Sequence, residues 1–205
     1  MRSLSKVADM MLLNLLFIAT SIPIVTLGAS LTALNFTAMR IATDKCPSVT
    51  ADYFRSFHQN FRQATIVGLV LVCLTIVFAA WYVVVPTLAL GAVAELILLA
   101  IWYVLAFNFA MMVLFVFPYL ASFEGRTRDV FRNARLMSWK HPLTALIALA
   151  VIVLSVGVTV FFPQATGYGL IWLAIGFAGI ATINGRLFAS IFSKYIAAAS
   201  TAGKK

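Results

Sequence analysis

Residues 21–30, Ser21-Ile22-Pro23-Ile24-Val25-Thr26-Leu27-Gly28-Ala29-Ser30, sit in the middle of an uncharged run from Met10 to Met39, and their reading decides the fold of the N-terminal part. As one straight helix, the run would measure roughly 45 Å. That exceeds a hydrocarbon core of about 30 Å yet is too short for two crossings and a turn. Pro23 lacks a backbone N–H and disfavours helix at the residue before it, and Gly28 permits a sharp bend. Two readings are open. In one, 10–39 is a broken, re-entrant helical hairpin with halves of roughly 12 residues and the quoted stretch as its tip. In the other, it is a kinked single span that puts the N-terminus on the opposite side.

The rest of the chain bears on the choice. Of its 205 residues 63% are hydrophobic and only 10% charged, with a mean hydropathy of +1.03. A soluble domain would be about half apolar and a quarter charged, so the composition excludes one and predicts an all-α polytopic membrane protein. Further uncharged runs cover Gln63–Ala94, Leu96–Phe123 and Pro142–Gly185. The last holds two spans, separated by turn residues in Phe162-Pro163-Gln164-Ala165-Thr166-Gly167-Tyr168-Gly169. Transmembrane helices are predicted over 64–85, 96–121, 142–161 and 169–187, followed by a basic tail, 188–205. Backbone left unpaired in lipid is costly, and no run alternates as a barrel strand does. The chain therefore reads as a single membrane domain, 1–205.

Lys and Arg alternate from one connection to the next. Arg40, Lys45, Arg55 and Arg62 lie before the first of these spans, and none lies in 86–95. Arg126, Arg128, Arg132, Arg135 and Lys140 fall in 124–141, none in 162–169, and Arg186, Lys194, Lys204 and Lys205 come last. Positive charge stays inside, so the basic connections and the C-terminus are expected to face the cytoplasm. Arg2 and Lys6 mark the N-terminus as cytoplasmic too. With Arg40 on the same side, the hairpin is the favoured reading of 10–39. The formal charge of +9 then faces anionic lipid headgroups rather than nucleic acid.

Two basic stretches are predicted as amphipathic interfacial helices, 52–62 and 129–140, each beginning Asp-x-Phe-Arg. Phe54, Phe57 and Phe61 fall on one face of the first, with Arg55 and Arg62 elsewhere. Arg132, Arg135 and Lys140 supply the headgroup contacts of the second. The repeated opening suggests a duplicated unit of interfacial helix plus membrane hairpin.

Four segments, in this order and spacing, resemble one known family. They are Asn14-Leu15-Leu16, Pro23-Ile24-Val25-Thr26-Leu27-Gly28-Ala29, Phe57-His58-Gln59-Asn60-Phe61-Arg62-Gln63-Ala64-Thr65 and Phe117-Pro118-Tyr119-Leu120-Ala121-Ser122-Phe123-Glu124. The chain is similar, from about residue 4 to about 190, to the YesL-like family of small bacterial integral membrane proteins, a domain of unknown function. Members are often encoded beside sugar uptake systems and glycoside hydrolases. The resemblance implies a carbohydrate-utilisation setting and no catalytic residues.

The candidate site is the break itself. If the hairpin is re-entrant, free N–H groups of its second half, around Thr26 to Ser30, would face the interior and attract an anion or a hydroxyl-rich solute. Pro23, Thr26, Gly28 and Ser30 are the residues concerned, and Asn108, mid-span, is a further candidate solute contact. Against this, Thr26 and Ser30 would merely cap the helix while Gly28, Ala29 and Ala33 allow close packing. No acid or base lies at span depth, which argues against a coupled carrier. No phosphate loop, HExxH or nucleophile elbow is present, so no enzyme activity or cofactor is expected. Cys46 and Cys73 have no metal-ligand spacing. The expectation is a non-enzymatic accessory or regulatory partner, assembling with sugar-transporter subunits or with itself. The alternative is a small permease using the broken segment.

Overall fold

The computed structural model describes residues 2–88, 90–167 and 169–202. Tyr168 of the predicted turn and Lys204 and Lys205 of the predicted tail lie outside the described residues. The described chain is helical: α1 (Arg2–Ser21), a 3₁₀ turn (Ile24–Thr26), α2 (Leu27–Ala42), α3 (Val49–Val84), α4 (Ala92–Ser122), α5 (Thr127–Lys140), α6 (Pro142–Phe161) and α7 (Phe177–Ala202). A π-helical turn, Trp172–Gly176, leads into α7. Among the described residues five stretches are long and apolar enough to cross a membrane: Ile24–Ala42, Val49–Leu88, Ala92–Ser122, Pro142–Phe161 and Trp172–Ala197. This is an all-α polytopic membrane fold.

Lys6 Nζ lies 2.6 Å from Asp44 Oδ1, tying the start of α1 to the connection after α2. Both flanks of 10–39 therefore stand at the same end of the molecule, and the kinked single span is ruled out. Its helices are 20 and 16 residues long. They exceed the expected 12 because they continue into their charged flanks, through Lys6 and Asp9 on one side and Arg40 on the other. Pro23 breaks the hairpin and stands extended at φ −76°, ψ 121°. Ile24, Val25 and Gly28 share a crevice with Leu71 and Thr75 of α3 and Phe109 and Ala110 of α4. Beyond Thr75, α3 runs on to Val84, about 14 Å farther at 1.5 Å per residue. The hairpin thus stops well short of the far ends of α3 and α4.

The predicted interfacial helix 52–62 and span 64–85 are one helix, α3, capped by the Ser48 side chain, which accepts from Ala51 N–H at 3.4 Å. This corrects the separate interfacial helix. The counterpart α5 does end, at His141, because Pro142 opens α6 at its first turn. No proline stands between 52 and 85, so nothing interrupts α3. The two Asp-x-Phe-Arg segments thus share a sequence opening and an i,i+3 ion pair, and differ at their C-terminal ends, one continuing as helix and the other turning a corner. The predicted tail 188–205 is likewise helical as far as Ala202, as the end of α7.

At the centre stands α2, with Gly28, Ala29, Ser30, Thr32, Ala33, Leu34, Thr37, Ala38, Met39, Ile41 and Ala42 all buried. Small residues bring its neighbours close. Gly28 packs on Ala64 and Gly68 of α3, and Gly185 of α7 packs on Ala38 and Met39, as small residues do at membrane helix interfaces.

The hairpin tip, its hydroxyl cluster and the basic end

The break is closed by its own polar groups. Thr26 N–H donates to Pro23 O at 3.0 Å and Leu27 N–H to Ile24 O, so the 3₁₀ turn consumes two donors that a helix-end ligand site would need. Neither Thr26 nor Ser30 caps α2. Thr26 Oγ1 donates to Thr20 O at 2.6 Å and lies 2.7 Å from Pro23 O. Ser30 Oγ donates to Thr20 Oγ1 at 3.0 Å, and Tyr53 Oη lies 2.5 Å from that same Thr20 oxygen. Thr20 Oγ1 also lies 2.9 Å from Leu16 O, and Ser30 Oγ 3.1 Å from Thr26 O, so the three hydroxyls and the hairpin carbonyls form one network. Tyr53, fully buried, is the cluster member that sequence reasoning missed. It belongs to the amphipathic stretch, but only the fold shows it reaching back to the hairpin.

Gly28 is held by sterics alone. A Cβ there would overlap the Ala64 carbonyl oxygen and stand 2.9 Å from the carbonyl carbon. The structure thus joins Thr26 and Ser30 in one network, sets Gly28 on α3, and leaves Pro23 at the turn. Asn108 takes no part, since its amide donates to Val104 O of its own helix at 3.0 Å.

Between the hairpin, α4 and α6 lies a crevice of two lobes, about 350 and 400 Å³, which share Leu31, Val113, Leu114 and Phe117. Asn35 and Asn184 line the second lobe. Each spends its NH₂ on a backbone carbonyl, Leu31 O at 2.8 Å and Ala148 O at 3.3 Å. The Asn184 oxygen is left buried without a partner.

Asn14, in the first of the family-like segments, has a role the sequence did not suggest. Fully buried, it donates to Trp172 O at 2.9 Å and Leu173 O at 2.8 Å and accepts from Ala178 N–H at 3.1 Å. These are backbone groups in and just after the π turn, and a polar partner is favourable for each in an apolar setting. The Phe117-Pro118-Tyr119 segment serves similarly, since Tyr119 Oη accepts from Asn133 Nδ2 at 2.7 Å and clamps α5 to α4.

At the basic end, Asp52 is buried and bridges Arg40 (2.7 Å) and Arg55 (3.2 Å), and both guanidinium groups lie within 5.6 Å of the Phe36 ring. Arg55 is therefore built into the fold beside its expected headgroup face. Burial first, and the neighbouring Asp52 carboxylate second, push the Cys46 thiol up to about 12. Phe57 stacks between Tyr53 and Phe61, while Phe54, Phe61 and Arg62 are exposed. On α5, Arg132 and Arg135 join Arg126 and Arg128 around a groove of about 680 Å³ with Asp129. Lys140 lies over the Tyr195 ring at 5.2 Å, and His141 Nε2 meets Tyr195 Oη at 3.0 Å. Burial, with Lys140 and Lys194 nearby, lowers the His141 pKa. Among the described residues, no three His, Cys, Asp or Glu side chains are grouped to hold a metal ion.

Neither a curated protein nor a solved structure matches the chain. The segment that carries the hairpin, the hydroxyl cluster and nearly all of α3, residues 10–83, matches the family model described as "Protein of unknown function, DUF624", the family that includes the YesL-like proteins.

Proposed function

We propose that the protein is a non-enzymatic accessory or regulatory component of the bacterial cell membrane, serving a carbohydrate uptake system, with its basic end and both termini cytoplasmic. The observation that carries this reading is the closed tip. The segment best suited by sequence to hold a solute has its Thr26 and Ser30 hydroxyls paired internally and its glycine pressed on α3, and of its hydroxyls only Ser21 Oγ is buried without a partner. The outer faces of the far half of the α3–α4 hairpin, by contrast, meet no other helix, with Ile76, Val83, Val93, Leu96 and Val104 all exposed. That leaves a long apolar surface for lipid and for partner helices. The sugar-utilisation setting comes from the YesL-like resemblance.

The test is co-purification from native membranes with sugar-uptake subunits, together with flux assays on the purified protein in liposomes. Retained subunits without independent flux support the proposal. Sugar uptake by the protein alone overturns it. Orientation is checked by labelling Ser3→Cys and Thr87→Cys in a variant lacking Cys46 and Cys73. Labelling of position 3 from outside the cell contradicts the assignment.

A small permease is a second reading, favoured by one observation: the unpartnered Asn184 oxygen on the crevice. Asn184→Leu is its proper probe. Substitution of Gly28 would wreck the packing and abolish either function alike.

A further inference from the structure

A groove of about 650 Å³ opens at the basic end between α2, α4 and α7. Its cations are Arg40, Lys45 and Arg186, and among the described residues no acidic side chain lines it. Arg40 is already committed to Asp52 at 2.7 Å. Arg186 spends one N–H on Ala42 O, the last carbonyl of α2, at 3.4 Å. That bond fixes the guanidinium against the negative end of a helix dipole and leaves its other donors available. Lys45 follows in the exposed connection. Ser122 and Ser190 add hydroxyls at the groove, the former with only the Met39 sulfur, at 4.0 Å, as a partner. The remaining wall is apolar and includes Phe36, Phe192 and Ile196.

We infer that this groove binds a phosphate group, with Lys45 and Arg186 as its two counter-charges and Ser122 and Ser190 as hydroxyl donors. Two cations not held by an acid more than offset the single negative charge of a phosphodiester, and a guanidinium fork suits its paired oxygens. The apolar wall beside the cations distinguishes the groove from the four-arginine groove on α5, where Met112 and Phe131 are the only apolar lining residues. It gives a place for the first carbons of an acyl chain, as in basic pockets between membrane helices that hold anionic headgroups. The phosphate belongs either to an anionic phospholipid or to free inorganic phosphate.

The purified full chain in detergent is titrated with phosphatidylglycerol, phosphatidylcholine and inorganic phosphate, and bound molecules are counted by native mass spectrometry. Phosphatidylglycerol is expected to bind in preference to phosphatidylcholine, and Lys45→Gln/Arg186→Gln to weaken its binding about tenfold or more. Arg128→Gln/Arg132→Gln, the same loss of charge on α5, is expected to leave that binding unchanged. Lys45→Gln alone, whose side chain holds no other residue in place, is expected to show part of the loss and guards against misfolding of the double variant. Saturable competition by inorganic phosphate, lost in the double variant, assigns the site to the free anion. Equal phosphatidylglycerol binding by wild type and Lys45→Gln/Arg186→Gln, with no phosphate competition, overturns the inference.

Discussion

The N-terminal hairpin and the α3–α4 hairpin are both antiparallel pairs of apolar helices, yet they are built on opposite principles. In the first, α2 is buried on nearly every side. Its contacts are made by Gly28, Ala29, Ala33 and Ala38, and Ser30 and Thr32 bond to hairpin groups while the Thr37 hydroxyl is buried without a partner. In the second, long side chains such as Ile97, Val104 and Phe107 point outward, and a few aromatics hold the pair together. Trp102 donates to Phe78 O at 2.8 Å, and Phe78 stacks on Phe109 at 5.1 Å. Lipid solvates large apolar side chains as well as protein does, so bulk on α3 and α4 needs no protein partner. Gain within the bundle comes from close backbone approach and satisfied polar groups, which need small residues and specific partners.

That contrast is most exposed to failure at Gly28. Gly28→Ala should destabilise the protein by about 3 kcal/mol or more, since the new methyl meets backbone that cannot move aside. Thermal unfolding in detergent would measure it, and a near-neutral result would show that α2 and α3 do not approach so closely. Asn14→Leu comes next, at roughly 3 kcal/mol, because backbone groups at Trp172, Leu173 and the buried Ala178 lose the Asn14 amide. Faster amide exchange confined to the start of α7 is its signature.

Asp52→Asn should cost about 2 kcal/mol by leaving Arg40 and Arg55 without their acid. The same change gives a chemical readout. The Asp52 carboxylate helps hold the Cys46 thiol up near about 12, so in the wild type the thiolate is scarce at neutral pH. Alkylation of Cys46 should rise about tenfold per pH unit up to about pH 11. In Asp52→Asn the profile should move to lower pH, as a raised thiol pKa loses one of its causes. An unshifted profile would separate Cys46 from Asp52. Smallest of all, Ile76→Ala on the bare arm, where Ile76 is 61% exposed, should change stability by less than about 0.5 kcal/mol. A larger loss would mean that this face is covered by a partner in the membrane.

Much of the architecture is legible in local chemistry. The hairpin break follows from Pro23, the α5–α6 corner from Pro142, and the far turns from stretches without Lys or Arg. The site is less so. Thr26 and Ser30 stand out in the sequence, but as caps or ligand contacts; their partners are Thr20 and Tyr53, and Tyr53 lies 33 residues from Thr20. Asn14 stands in a family-like segment that gives no sign of its role, because its partners lie 158 to 164 residues away.

The sequence by itself determined that the chain is a helical membrane protein, where its helices break and how its charge is divided between the two ends. Those properties depend on hydropathy, proline and charge counted along the chain, and such local sums survive any packing. Only the tertiary structure decided that the first segment returns to its own side, that α3 runs uninterrupted through the basic stretch, and that Gly28 is pressed against Ala64. These depend on which backbones approach closely enough to exclude a methyl group and which distant polar atoms meet. Steric fit and hydrogen-bond partnership are properties of pairs, and a reading along the chain sees one member of each.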